Sequence, residues 1–135
     1  MTSIAPTVLV VDDEEDLRDA IRRMLERRGF ATLTAGDQAE AEAVCREHEG
    51  AIDVLLTDLT LPGASGGEVA RMIQSMRPEL RVVYVSGLPR EAAVDNGLVG
   101  PDATLVQKPF TSERLAAEIR RALHPDAPAS GAAAG

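Results

Sequence analysis

Five residues able to do chemistry stand where short apolar runs of the chain give out. Asp12 and Asp13 follow Thr7–Val11, Asp58 sits within the apolar stretch 52–62, Ser86 follows residues 81–85, and Lys108 follows residues 103–107. Carboxylates brought together repel one another unless a cation neutralises them, and hard oxygen ligands of this kind suit Mg²⁺. A cation beside a free carboxylate, with an ammonium and a hydroxyl converging on it, is equipment for phosphoryl transfer, where charge neutralisation and in-line placement matter more than acid–base work. In that arrangement Asp58 is the nucleophile and an acyl phosphate its product. Taken singly, Asp58 reads as an ordinary loop cap, and only its company changes the reading. Lys108 adds a check of its own, since it is the single lysine beside thirteen arginines. A compact ammonium on a flexible stem goes where a planar guanidinium would not fit.

These residues meet only if the runs that carry them are neighbouring strands. The stretch 52–62 is β-branched and leucine-rich, the pattern of a strand buried on both faces, and residues 7–11, 30–35, 81–85 and 103–107 read as four more. Between them the period changes. Leu17, Ile21, Met24 and Leu25 recur at helical spacing, with acids in the first turn and Arg22, Arg23, Arg27 and Arg28 towards an end marked by Gly29. That arginine face reads as solvated. Asp37 with Glu40 forms a capping box for an alanine-rich helix running to about His48. Residues 62–67 read as a flexible loop, with Ser65 and Glu68 as a second capping box for a helix that turns Val69, Met72, Ile73 and Met76 inward. A short, weak helix spans residues 89–96, and Thr111 caps a last one whose Leu115, Ile119 and Ala122 share a face.

Five strands alternating with five helices predict an α/β fold. It is a flavodoxin-like, doubly wound, five-stranded parallel sheet of (βα)5 type, with strand order 2-1-3-4-5. Its switch point falls between the first and third strands, which puts Asp12 and Asp13 beside Asp58. One domain is expected over residues 7–124, after a six-residue N-terminal extension (1–6) and before a tail, 125–135, whose composition predicts disorder.

Composition narrows the partners. A net charge of −8 argues against direct contact with nucleic acid and suits a cation. Cys45 is the only cysteine, so no intrachain disulfide can form, and a reducing, cytoplasmic setting is expected. No stretch approaches the roughly 20 apolar residues of a membrane span, and no signal pattern opens the chain. His48 and His124 lack a metal-ligand or phosphoacceptor context, and Cys45 reads as a small core residue.

Several motifs, in order, resemble the receiver domain of two-component response regulators. They are Val8-Leu9-Val10-Val11-Asp12-Asp13-Glu14, Thr57-Asp58 followed by Leu61-Pro62-Gly63, Val85-Ser86-Gly87, and Gln107-Lys108-Pro109-Phe110. The match covers nearly the whole chain and looks most like receivers attached to hybrid sensor histidine kinases. The resemblance implies that Asp58 accepts phosphate from the phosphohistidine of a histidine kinase or histidine phosphotransfer domain. It implies Mg²⁺ held by Asp12, Asp13 and Asp58 with the Thr60 backbone carbonyl. It also implies that Ser86 bonds the phosphoryl group, that Lys108 pairs with it, and that the peptide before Pro109 is cis. The expected function is a phosphoacceptor signalling domain without a DNA-binding output, acting on a downstream protein of unknown kind, and not a turnover enzyme.

The chain departs from the family at Leu105, where receivers carry an aromatic switch residue three positions before the lysine. Tyr84, two residues before Ser86, shares a strand face with it and reads as core packing with a tethered hydroxyl. Two other functions are weighed. A Mg²⁺-dependent phosphohydrolase working through an aspartyl phosphate would place its acids two apart after the first strand and add a cap, whereas Asp12 and Asp13 are adjacent. A phosphate-independent interaction module would have no need to keep every acid, hydroxyl and lysine position filled.

Overall fold

The computed structural model describes residues 5–61 and 63–124. The expected tail at 125–135 and most of the expected N-terminal extension lie outside the described residues. The strands are β1 (Thr7–Val11), β2 (Ala31–Ala35), β3 (Val54–Asp58), β4 (Thr60–Leu61), β5 (Ala64–Ser65), β6 (Arg81–Ser86) and β7 (Thr104–Gln107). The helices are α1 (Glu15–Arg27), α2 (Gln38–Glu47), α3 (Gly66–Met76), α4 (Arg90–Asp95) and α5 (Ser112–Leu123).

Five strands form one parallel sheet in the order β2-β1-β3-β6-β7. With the two-residue strands β4 and β5 set aside, this is the expected 2-1-3-4-5 order. The central strands are buried on both faces: Val8, Leu9, Val54 and Leu55 expose none of their surface. Their alternating side chains feed two cores. Val8, Val10, Val54, Leu56, Val83, Val85 and Val106 pack against Ile21 and Leu25 of α1 and Leu115, Ala116 and Ile119 of α5. Leu9, Val11 and Leu55 pack against Ala41 and Cys45 of α2 and Val69, Ala70 and Ile73 of α3. A third, smaller cluster joins Leu59, Ala93 and Leu105, with Tyr84, Leu98 and Val99 against it.

Two local expectations are corrected. The stretch read as a flexible loop pairs Thr60 with Ser65 and Leu61 with Ala64 as an antiparallel ribbon, and Gly66 and Gly67 already belong to α3. The cause is packing: a Cβ on Gly66 would lie 2.4 Å from the Asp58 carbonyl oxygen and 2.9 Å from Leu59 Cα, so the helix starts hard against the end of β3. The Asp37 capping box is only half formed. Asp37 accepts from the Glu40 amide, but the Glu40 carboxylate takes the Gly36 amide, one residue earlier than a reciprocal box requires. The Ser65–Glu68 box is complete.

Candidate functional site

The carboxyl ends of β1, β3, β6 and β7 share one rim. In β1 the ladder to β3 ends at Val11, paired with Thr57, so Asp12 and Asp13 follow at the level of Asp58. Asp58 in turn pairs with Val85, one residue before Ser86, and Ser86 pairs with Gln107, one residue before Lys108. Parallel pairing alone therefore carries four separate stretches of sequence to one place. Asp12, Asp13 and Asp58 each offer a carboxylate oxygen such that all three lie within 4.8 Å of one another.

Each member is held differently. Asp12 is buried and accepts the Glu14 amide through Oδ1 at 2.8 Å, while its own amide donates to the Ala35 carbonyl at 3.1 Å. Asp13 is exposed. Asp58 Oδ2 accepts from Lys108 Nζ at 2.9 Å and Oδ1 from the Thr60 amide at 3.0 Å. The Asp58 side chain is only 13 % exposed, so this ion pair is partly withdrawn from solvent. Ser86 is buried, with its Oγ accepting the Leu88 amide at 2.9 Å and its carbonyl the Lys108 amide at 2.7 Å. The Lys108–Pro109 peptide is cis.

The electrostatics follow from this crowding. Burial pushes the Asp12 carboxyl above its ordinary value; the Glu14 amide and Lys108 pull it back, and the charges of Asp58 and Asp13 push it further up. Burial alone would lower the Lys108 ammonium, but its hydrogen bond to Asp58 and the charges of Asp58, Asp12 and Glu14 outweigh that and hold it above its ordinary value. Three carboxylates facing one ammonium leave two negative charges uncompensated when all are ionised. Oxygen ligands on one Mg²⁺ sit at about 2.1 Å from it and so at most about 4.2 Å apart. A carboxylate set within 4.8 Å needs only a small inward adjustment, and the hard oxygen donors fit such an ion.

Leu105 is buried beside Leu59 and Ala93. Tyr84 is its cross-strand partner, half-buried between the second and third clusters, and its hydroxyl makes no hydrogen bond among the described residues. The expected tether is therefore missing. Sequence reasoning missed Arg18, whose Nη1 donates to the Asp12 carbonyl at 2.8 Å. It also missed Arg77, which ties α3 to the end of α2 through the carbonyls of Cys45, His48 and Gly50. Backbone carbonyl acceptors leave no mark in a sequence, so neither contact had a signal to find.

Comparison with known proteins bears on the family and the fold. A profile described as response regulator receiver domain matches residues 8–120. The response regulator receiver protein CpdR of Brucella abortus is 30% identical over 116 residues, covering 86% of this chain and 95% of CpdR. The sensor kinase CckA of the same organism is 28% identical over 117 residues, 87% of this chain but 12% of CckA. The crystal structure of a response regulator receiver protein from Sinorhizobium medicae superposes with a TM-score of 0.75 at 30% identity, covering 89% of this chain and 95% of that one. The chain spans between 12% and 55% of the length of seven other curated relatives, CckA included. Among the described residues no helix is long and apolar enough to cross a membrane.

Proposed function

Since the chain belongs to the response regulator receiver domain family, we propose that it is a phosphoacceptor of a two-component phosphorelay, phosphorylated on Asp58. The observation that carries this reading is the Asp58 carboxylate held 2.9 Å from the only lysine of the chain and within 4.8 Å of two further carboxylates. A carboxylate so placed is anchored, in a cluster where carboxylates outnumber the ammonium three to one.

The donor is the phosphohistidine of a kinase or phosphotransfer domain. An Asp58 oxygen forms the new O–P bond as the N–P bond breaks, and the donor imidazole leaves with the electron pair. Lys108, already on Oδ2, pairs with the charge that develops on the transferring group, and Ser86 supplies a hydroxyl at the same rim. Asp12, Asp13, Asp58 and the Thr60 carbonyl would hold Mg²⁺, which supplies charge neutralisation of the phosphoryl oxygens when bound. The chain catalyses its own phosphorylation and dephosphorylation in the cytoplasm and passes the signal to another protein. It serves either as a single-domain regulator, as the likeness to CpdR supports, or as the receiver of a hybrid kinase, as the likeness to CckA supports.

Incubation with Mg²⁺ and a small acyl phosphate is expected to give a hydroxylamine-labile phosphoryl adduct. Asp58→Asn should abolish it and chelation should suppress it. An adduct that persists on Asp58→Asn would refute the assignment, and rapid multiple turnover on simple phosphate esters would favour a phosphohydrolase instead.

A further inference from the structure

Asp13 has no hydrogen-bond partner of its own among the described residues and is exposed, so no side-chain contact fixes it and the backbone, through the Cα–Cβ direction, sets where its carboxylate can reach. The peptide plane that joins Asp12 to Asp13 settles that direction. Its carbonyl lies past the last rung of the β1 ladder at Val11 and before the first turn of α1, where neither element supplies a partner. Arg18, one turn into α1, reaches back and donates to that carbonyl at 2.8 Å. Together with the Asp12 amide on Ala35 and Asp12 Oδ1 on the Glu14 amide, this fastens the turn at three points.

The surroundings are arranged for that reach. Arg18 is half-buried and makes no ion pair among the described residues, unlike Arg22 and Arg23 on the same helix. A Cβ on Gly36 would lie 2.9 Å from Arg18 Nη1 and 3.3 Å from the Glu40 carboxylate, so the glycine after β2 leaves room for the guanidinium. Glu40 takes the Gly36 amide at 2.7 Å and holds that loop in place.

We infer that Arg18 is a positioning residue for the cation site: it fixes the Asp12–Asp13 peptide and thereby aims the Asp13 carboxylate at the oxygens of Asp12 and Asp58. The inference rests on the phosphoacceptor reading and its Mg²⁺ requirement. It also has a built-in opposite. A guanidinium near a cation site repels the cation, so if Arg18 acted only through its charge, removing it would tighten Mg²⁺ binding. Positioning predicts the reverse sign.

The test is a titration with Mg²⁺ alone, followed by the amide resonances of Asp13 and Asp58 in the full chain, for wild type, Arg18→Met and Arg18→Lys. Arg18→Met is expected to weaken binding by about tenfold, the scale seen when a residue that orients a metal ligand is lost, while still unfolding cooperatively in chelator at a modestly lower midpoint, because a charge-assisted hydrogen bond to a part-buried carbonyl is lost. Arg18→Lys, which keeps the charge and one donor, should recover part of the loss. Phosphorylation of Arg18→Met by an acyl phosphate should be slow at low Mg²⁺ and recover at saturation. Equal or tighter Mg²⁺ binding by Arg18→Met would overturn the inference, as would a rate that stays depressed at saturating Mg²⁺, since that places Arg18 in the transfer step. If wild type itself binds no Mg²⁺, the phosphoacceptor reading is what fails.

Discussion

Tyr84 carries the one tyrosine hydroxyl of the chain, and the chain has no tryptophan. Burial raises its phenol above the ordinary value, partly offset by the nearby positive charge of Arg71. A raised phenol is an acid whose charged form the fold disfavours. Its contribution to stability is therefore complete below the unfolded value, roughly 10, and is lost as pH rises through the folded one. Tyrosinate absorbance should accordingly titrate above its position in denaturant, with stability falling over the same alkaline interval. Coincident curves in native and denatured protein would show the ring to be solvated. The residue matters because it stands beside Leu105, where the family's aromatic switch residue is absent, and on the same strand face as Ser86. Among the described residues no hydrogen bond holds that ring.

Among the elements, α3 has the least freedom in where it begins. A Cβ on Gly66 would clash with the Asp58 carbonyl oxygen at 2.4 Å and Leu59 Cα at 2.9 Å, both backbone, whereas one on Gly67 would meet nothing closer than 3.5 Å. Gly66→Ala is therefore expected to cost about 2–4 kcal/mol and to weaken Mg²⁺ binding by shifting the end of β3. Gly67→Ala should be neutral or stabilising by up to about 1 kcal/mol, through helix propensity. Denaturant unfolding of the two variants checks both, and equal effects would show that the contact at Gly66 is not what matters. The sequence pair Gly66-Gly67 had suggested a loop, because glycine is a poor helix former; the close approach that demands it is a tertiary fact without a local signal. The ribbon Thr60–Leu61 with Ala64–Ser65 escaped for a related reason, since two residues a side are too short to show a period of two. Longer features were readable. Parallel strands of near-continuous Val and Leu, the caps at Asp37, Ser65 and Thr111, and the acids at strand ends all follow from patterns that span several residues. The site was legible for the same reason, because sheet topology converts strand ends into neighbours. What remained hidden was the fastening of the site, done through the carbonyls and amides around Asp12 and Asp58.

At the scale of the whole molecule, the apolar interior is unequally divided. Among the described residues, thirteen buried ones form the core beneath α1 and α5 and twelve the core beneath α2 and α3, while three form the cluster at Leu59, Ala93 and Leu105. The helix over that third cluster, α4, is six residues long and has no side-chain cap. Local opening takes less free energy where fewer apolar contacts are lost. The amides of Ala93, Asn96 and Leu98, bonded to Pro89, Ala92 and Ala93, should therefore exchange with solvent deuterium through a private opening well below the global unfolding free energy. Those of Leu55 and Leu56 in β3 should wait for global unfolding. Equal protection in the two places would show a single cooperative unit. With unequal protection, the chain consists of a rigid body and one loosely latched flap, and the latch residue, Leu59, is the next residue along the chain from Asp58. A covalent change at that aspartate would then tug on the part of the molecule that yields with the least work.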